Sequence, residues 1–250
     1  MKARFFLTPI VLLVALSILF SSCTEAVNKL ASAVVNHTFQ FEREDTVKWG
    51  KVIEQTCYIS DFQSLDIEGV VCVIYTQDST YSVRVRGNEK CLKEYSVGLD
   101  DDELKVRLKN GKDTVNDKTP GIILYVSAPI LTSIDFSGGG KVMMQGQIDM
   151  PNELEVELNG ASNFIVDSLA VGALDLETNG AAKCSIAKLE TKGNIEIEVN
   201  GAGEINANVF CQDLRIELNG ASNGTFSGEC KKLVCEENGA SKVDFSNLKR

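Results

Sequence analysis

One short phrase returns at nearly constant spacing and leaves few folds open to this chain. It reads Asn159-Gly160-Ala161, Asn179-Gly180-Ala181, Asn200-Gly201-Ala202, Asn219-Gly220-Ala221 and Asn238-Gly239-Ala240, at intervals of 20, 21, 19 and 19 residues. A looser copy, Ser137-Gly138-Gly139, lies 22 residues before the first. Self-similarity at a fixed period of this length is the mark of stacked repeats. We count positions from the Asn, or Ser137, as zero. Apolar residues then fill −5, −3 and −1 in most copies, as in Leu154, Val156 and Leu158, or Ile195, Ile197 and Val199. They fill +5 and +7 as well, as in Phe164 and Val166. Strict alternation is the pattern of a half-buried strand. Each copy therefore reads as strand, corner, short strand and connector.

The Asn-Gly pair has a backbone reason, because a sharp corner needs positive φ, which Gly adopts freely and Asn tolerates. Asn-Gly is also the strongest hairpin signal, and a string of antiparallel hairpins is the competing fold. A parallel stack is preferred, because the half-strands around each corner differ in length while each position keeps its character from copy to copy. The expectation is all-β: a parallel β-helix or solenoid with coils of about 20 residues. A lone coil buries about five apolar side chains, each worth roughly 1.5–3 kcal/mol, against backbone ordering at roughly 1–2 kcal/mol per residue. It cannot stand without neighbours. Stacked Asn side chains would form an amide ladder.

Residues 1–22 read as a signal peptide of lipoprotein type. Lys2 and Arg4 precede an apolar run from Phe5 to Phe20, too short to span a bilayer as a helix, and Ser21-Ser22-Cys23 resembles a lipobox. Lipid on Cys23 would tether the chain to a membrane. Cleavage removes two basic residues and no acid, so the net charge moves from −10 to −12. Such a chain is a poor nucleic-acid binder. Residues 23–50 read as a polar tether with a short helix or strand near Asn36 to Phe41; its His37 is the chain's one histidine and a poor catalytic candidate.

Residues 51–250 read as one domain, with the repeats over about 130–248. Between Lys51 and Pro129 the pattern is β but not periodic. Candidate strands are Val52-Ile53, Leu65 to Ile67, Val70 to Tyr75, Tyr81 to Val85, Tyr95 to Leu99, Leu104 to Leu108 and Ile122 to Val126. This irregular half is expected to cap the open end of the stack, as irregular coils or an antiparallel sheet.

Phe62-Gln63-Ser64-Leu65-Asp66-Ile67-Glu68-Gly69, Val73-Ile74-Tyr75-Thr76-Gln77, Tyr81 to Asn88, Ser127-Ala128-Pro129-Ile130-Leu131 and the Asn-Gly-Ala copies, in that order, resemble the GIN-domain family of auto-transporter adhesins over about residues 51–248. The resemblance implies an exported, often lipid-anchored envelope protein of Bacteroidota with a β-helix-like fold. It transfers no catalytic residues.

Position −2 is acidic in all six copies: Asp135, Glu157, Glu177, Glu198, Glu217 and Glu236. Stacked about 5 Å apart, neighbouring carboxylates repel by roughly 0.8 kcal/mol at water's dielectric and about 3 kcal/mol at an effective value of 20. Water, salt and nearby lysines are the expected relief. Calcium is the competing one, though the calcium-binding GGxGxD repeat is absent.

Of eight cysteines, Cys184 and Cys235 fall in apolar columns and read as core. Cys211 and Cys230 both stand at +11 of consecutive copies. Stacking places them within disulfide range; two small apolar residues in one column is the other reading. No CxxC, GxSxG, HExxH or P-loop occurs, and recurring equivalent carboxylates are not the single constellation that catalysis needs. The reading is a lipid-anchored envelope module, binding and adhesin-like or structural, without cofactor, its ligand a glycan or protein surface. A carbohydrate-active β-helix enzyme is the alternative.

Overall fold

The computed structural model describes residues 50–109 and 121–250. Cys23, the signal peptide, the tether up to residue 49 with His37, and residues 110–120 lie outside them. The chain is all-β. Its strands are β1 (Val52–Cys57), β2 (Ser64–Gln77), β3 (Ser82–Asn88), β4 (Tyr95–Asp100), β5 (Glu103–Leu108), β6 (Ile122–Ala128), β7 (Ser133–Gly180), β8 (Lys183–Thr191), β9 (Asn194–Gly201), β10 (Glu204–Gly220), β11 (Asn223–Gly239) and β12 (Lys242–Lys249). Among the described residues one short helix, α1 (Glu89–Glu94), interrupts them.

Every pairing between strands of the repeats is parallel, so the hairpin reading fails. β10 lies on β11 with Asn219 opposite Asn238 and Gly220 opposite Gly239; β9 lies on β10 with Asn200 opposite Asn219. The same register carries Asn179 opposite Asn200 between β7 and β9. β7, β8, β10 and β9 close into a ring of four parallel strands, since β8 and β9 are the two halves of one copy between β7 and β10. Like residues meet like: Phe164, Cys184, Ile205, Gly224 and Val243 form one column. The inner −3 column is almost wholly dry, from Ile134 to Ile216. In the +5 column Gly224 makes room for the Phe226 ring, since a Cβ on it would sit 2.9 Å from that side chain.

The first half holds a surprise. The two candidates Leu65 to Ile67 and Val70 to Tyr75 are one strand, β2, and β2 is itself a copy of the repeat. It pairs in parallel with β7, placing Leu65 on Ile134, Asp66 on Asp135, Gly69 on Gly138 and Tyr75 on Met144. Its other edge is closed in pieces. β5 pairs with Ser64 to Ile67, and β6 with Val71 to Gln77, both parallel. Between them the Val70 N–H donates to the Tyr95 phenol oxygen (3.0 Å), whose O–H lies 3.3 Å from the Val70 carbonyl. Tyr95 thus fills the corner that a preceding copy would occupy. β1, β3 and β6 form an antiparallel extension, and β4 pairs antiparallel with β5. The cap is part parallel copy and part antiparallel sheet.

Candidate functional site

The outward wall beside the corners carries the acids, and its geometry follows from the phrase itself. Each corner Gly has positive φ, +124° at Gly180 and +119° at Gly201. A Cβ on Gly180 would lie 2.6 Å from the Gly160 carbonyl oxygen beneath it. That carbonyl accepts the Ala181 N–H at 2.9 Å, and the pattern repeats from Ala202 to Gly180, Ala221 to Gly201 and Ala240 to Gly220. Gly is therefore required twice, for its φ and for the close approach of the next copy.

The Asn supplies the relief that the acids need. Its side-chain N–H donates to the carboxylate two residues earlier: Asn159 to Glu157 (2.8 Å), Asn179 to Glu177 (2.9 Å), Asn200 to Glu198 (2.9 Å) and Asn219 to Glu217 (3.1 Å). Amide nitrogens also reach across copies to the Asn oxygen of the preceding copy, Asn200 to Asn179 (3.1 Å), Asn219 to Asn200 (2.9 Å) and Asn238 to Asn219 (2.9 Å), those of Asn200 and Asn219 serving both bonds. The amide ladder and the acid column are one device. Water and lysine were the expected relief; the donor instead stands two residues away in the same strand. In β2, Glu68 replaces the Asn, and Arg107 of β5 takes over, pairing with Asp66 and with Glu68 (3.3 Å). A shallow groove lined by Asp66, Glu68, Arg107, Asp135 and Ser137 marks this junction.

Sequence reading missed a second acidic column. Glu155, Asp175 and Glu196 stand at −4, on the same outward face as −2, and no corner Asn serves them; Asp175 is the Cα partner of Glu196. The signal was present in Glu153-Leu154-Glu155-Val156-Glu157, since residues two apart share a strand face. Burial raises the Asp175 carboxyl above its ordinary pKa, and Glu196, Glu155, Glu153 and Glu177 push it further. Burial also raises Asp135, with Asp66 and Glu157 adding to the push while Arg107 and the Ser137 hydroxyl pull back. Toward the C-terminal end Arg215 enters the column and binds Glu196 (3.1 Å). The wall is thus a negative field between two arginines. Its acids sit at equivalent places along the stack, and at the β2 junction unlike groups, Arg107 and Ser137, join them among the lining residues.

Among the described residues no three His, Cys, Asp or Glu side chains gather as ligands for one metal ion. In the column Asp135, Glu157, Glu177, Glu198, Glu217, Glu236, four carboxylates are each tied to their own Asn. Cys211 and Cys230 are direct Cα partners across β10 and β11, and both are free thiols. Burial pushes the Cys211 thiol up to about 12, with Cys230 and Asp213 adding. Cys184 lies in the core, and Cys235 is half-buried against it. Among the described residues no helix is long and apolar enough to cross a membrane.

A family model described as "Putative auto-transporter adhesin, head GIN domain" matches residues 61–187 and 176–250, so the chain belongs to that family. Two solved structures share its fold. A "putative adhesin" from Bacteroides fragilis NCTC 9343 is 16% identical with a TM-score of 0.60, over 80% of this chain and 97% of that one. A "putative adhesin" from Parabacteroides distasonis ATCC 8503 is 16% identical with a TM-score of 0.57, over 80% of this chain and 96% of that one. No curated protein is detectably similar.

Proposed function

We propose that this chain is a non-catalytic, adhesin-like module of the cell envelope, held to a membrane by lipid on Cys23, whose wall of acidic columns meets a glycan or protein surface. The observation that carries this reading is the wall itself. It is regular: each −2 acid from Glu157 to Glu217 accepts from its own Asn, and at −4 Glu155 and Asp175 keep a negative field that the Arg215–Glu196 pair closes at one end. A repeated surface of this kind suits many weak equivalent contacts better than one reaction. The family's adhesin description points the same way. The copies from β2 onward would stack as a single β-solenoid over 51–250, presenting the wall beyond the polar tether.

The test immobilises the chain on beads and offers glycan arrays and intact cells. Saturable retention that weakens in salt is expected, and weakens further when Glu155, Asp175 and Glu196 are changed to Gln, Asn and Gln. Retention equal in wild type and triple variant rejects the acidic wall as the contact surface. For the anchor, mass spectrometry of the mature N-terminal peptide is expected to show acyl chains on Cys23, and Cys23→Ala to release the chain from membranes; a chain that stays membrane-bound after that change rejects the anchor.

A further inference from the structure

The two ends of the stack are finished differently. The N-terminal edge of β2 is closed by β5, β6 and Tyr95. The last stretch of β11, from Lys231 to Gly239, pairs with β10 on one side, and among the described residues nothing pairs with its other side. Apolar groups are left half-wet there: Leu233 and Cys235 on its inner face, with Phe245 of β12 beyond. On the outer face the −4 column changes character. Glu155, Asp175, Glu196 and Arg215 stand there in the four preceding copies, but the last copy has Val234, 38% exposed.

The charges on this open strand are ordered. The stretch reads Lys231-Lys232-Leu233-Val234-Cys235-Glu236-Glu237, two cations, three apolar residues and two anions, symmetric about Val234 with the sign reversed. All four charged side chains are exposed, and among the described residues Lys231, Lys232 and Glu237 have no ion-pair partner. Charges on an open edge ordinarily blunt it against pairing. An edge whose charges invert about its own centre does the opposite for one partner, an antiparallel copy of itself. Residues directly opposite across a two-fold axis at Val234 would be Lys231 and Glu237, Lys232 and Glu236, Leu233 and Cys235, and Val234 with Val234. Opposed residues in an antiparallel pair share a sheet face. The inner faces of both copies would then be continuous, and each contact would occur twice, as a two-fold interface requires.

We propose that this edge is a self-association surface, through which a second copy of the chain adds antiparallel to β11 about Val234 and joins two acidic walls end to end.

The test uses the full chain, with light scattering corrected for bound detergent, on wild type and two charge-reversed variants, Lys231→Glu/Lys232→Glu and Glu236→Lys/Glu237→Lys. Wild type is expected as a dimer. Each variant alone is expected to lose it, its dissociation constant rising about tenfold or more as four unlike cross-strand contacts become alike. An equimolar mixture of the two variants is expected to regain a dimer, because their edges are again complementary. A monomeric wild type, a dimer insensitive to either double substitution, or a mixture that stays monomeric overturns the proposal. Circular dichroism on both variants checks that they fold; since both substitutions lie on exposed positions, recovery on mixing also excludes misfolding as the cause of the loss.

Discussion

Replacing Asn200 tests whether the corner amide is more than a turn former. Asn200 sits in mid-column and makes three side-chain hydrogen bonds: to the Glu198 carboxylate (2.9 Å), to the Asn179 oxygen (3.1 Å), and from Asn219 (2.9 Å). A neutral hydrogen bond contributes about 0.5–1.5 kcal/mol and one to a charged group about 1.5–3 kcal/mol. The site is half-exposed, which lets water replace part of what is lost. Asn200→Ala is expected to cost about 2–3 kcal/mol. That corresponds to a fall in Tm of roughly 4–12 °C for a domain near 200 residues. Asn200→Asp is the sharper probe. Asp suits a tight corner nearly as well as Asn, but it donates nothing and brings a charge beside Glu198. It is expected to destabilise more than Ala, with the excess shrinking in high salt. The assay is urea unfolding of both variants at low and high ionic strength. If Asn200→Asp is as stable as wild type, the ladder reasoning fails and the Asn serves the backbone alone.

Three further outcomes follow from the same geometry. Gly180→Ala meets both a φ of +124° and the Gly160 carbonyl, and is expected to cost about 3 kcal/mol, while Gly98→Ala, with nothing near its Cβ, stays within about 0.5 kcal/mol of wild type; thermal melts separate them. Thr178 buries a hydroxyl with no hydrogen-bond partner among the described residues, in a column where the next copy has Val199, so Thr178→Val is expected to stabilise by about 1 kcal/mol in urea unfolding. Asp175 has a raised carboxyl pKa in the fold, so its ionisation opposes folding: the penalty is absent below the unfolded value near 3.8 and grows as pH rises through the folded one. Asp175→Asn is therefore expected to stabilise at neutral pH and to match wild type near pH 3, and a stability difference that does not change across that range refutes the assignment.

The sequence carried the repeat, its inward columns and its acidic face because each is a period-2 or period-20 signal that side-chain chemistry must obey. Leu65, Ile67, Val73 and Tyr75 obey the same columns, yet β2 was not recognised as a copy. Its corner reads Glu68-Gly69-Val70, and 69 residues separate Gly69 from Gly138, so no period shows. The missing amide is replaced by Arg107, a partner distant in sequence that only the pairing of β5 with β2 brings near. The helix Glu89–Glu94 was invisible for a different reason: six residues hold too little periodicity to distinguish a helix from a turn. The link between Asn and Glu was hidden because a bond between residues two apart depends on rotamers, which spacing does not report.

The central claim is that each position of the repeat lies directly on the same position of the next copy. Glu177 and Glu198 are Cα partners on adjacent parallel strands, about 4.8 Å apart by strand spacing and within disulfide reach. The measurement is peptide mapping by mass spectrometry after mild oxidation of Glu177→Cys/Glu198→Cys, beside a control in which Glu177→Cys is combined with Glu217→Cys, two copies away. The account expects one intramolecular bridge between residues 177 and 198 and none between 177 and 217. Free thiols at 177 and 198 in the folded, oxidised protein would contradict it.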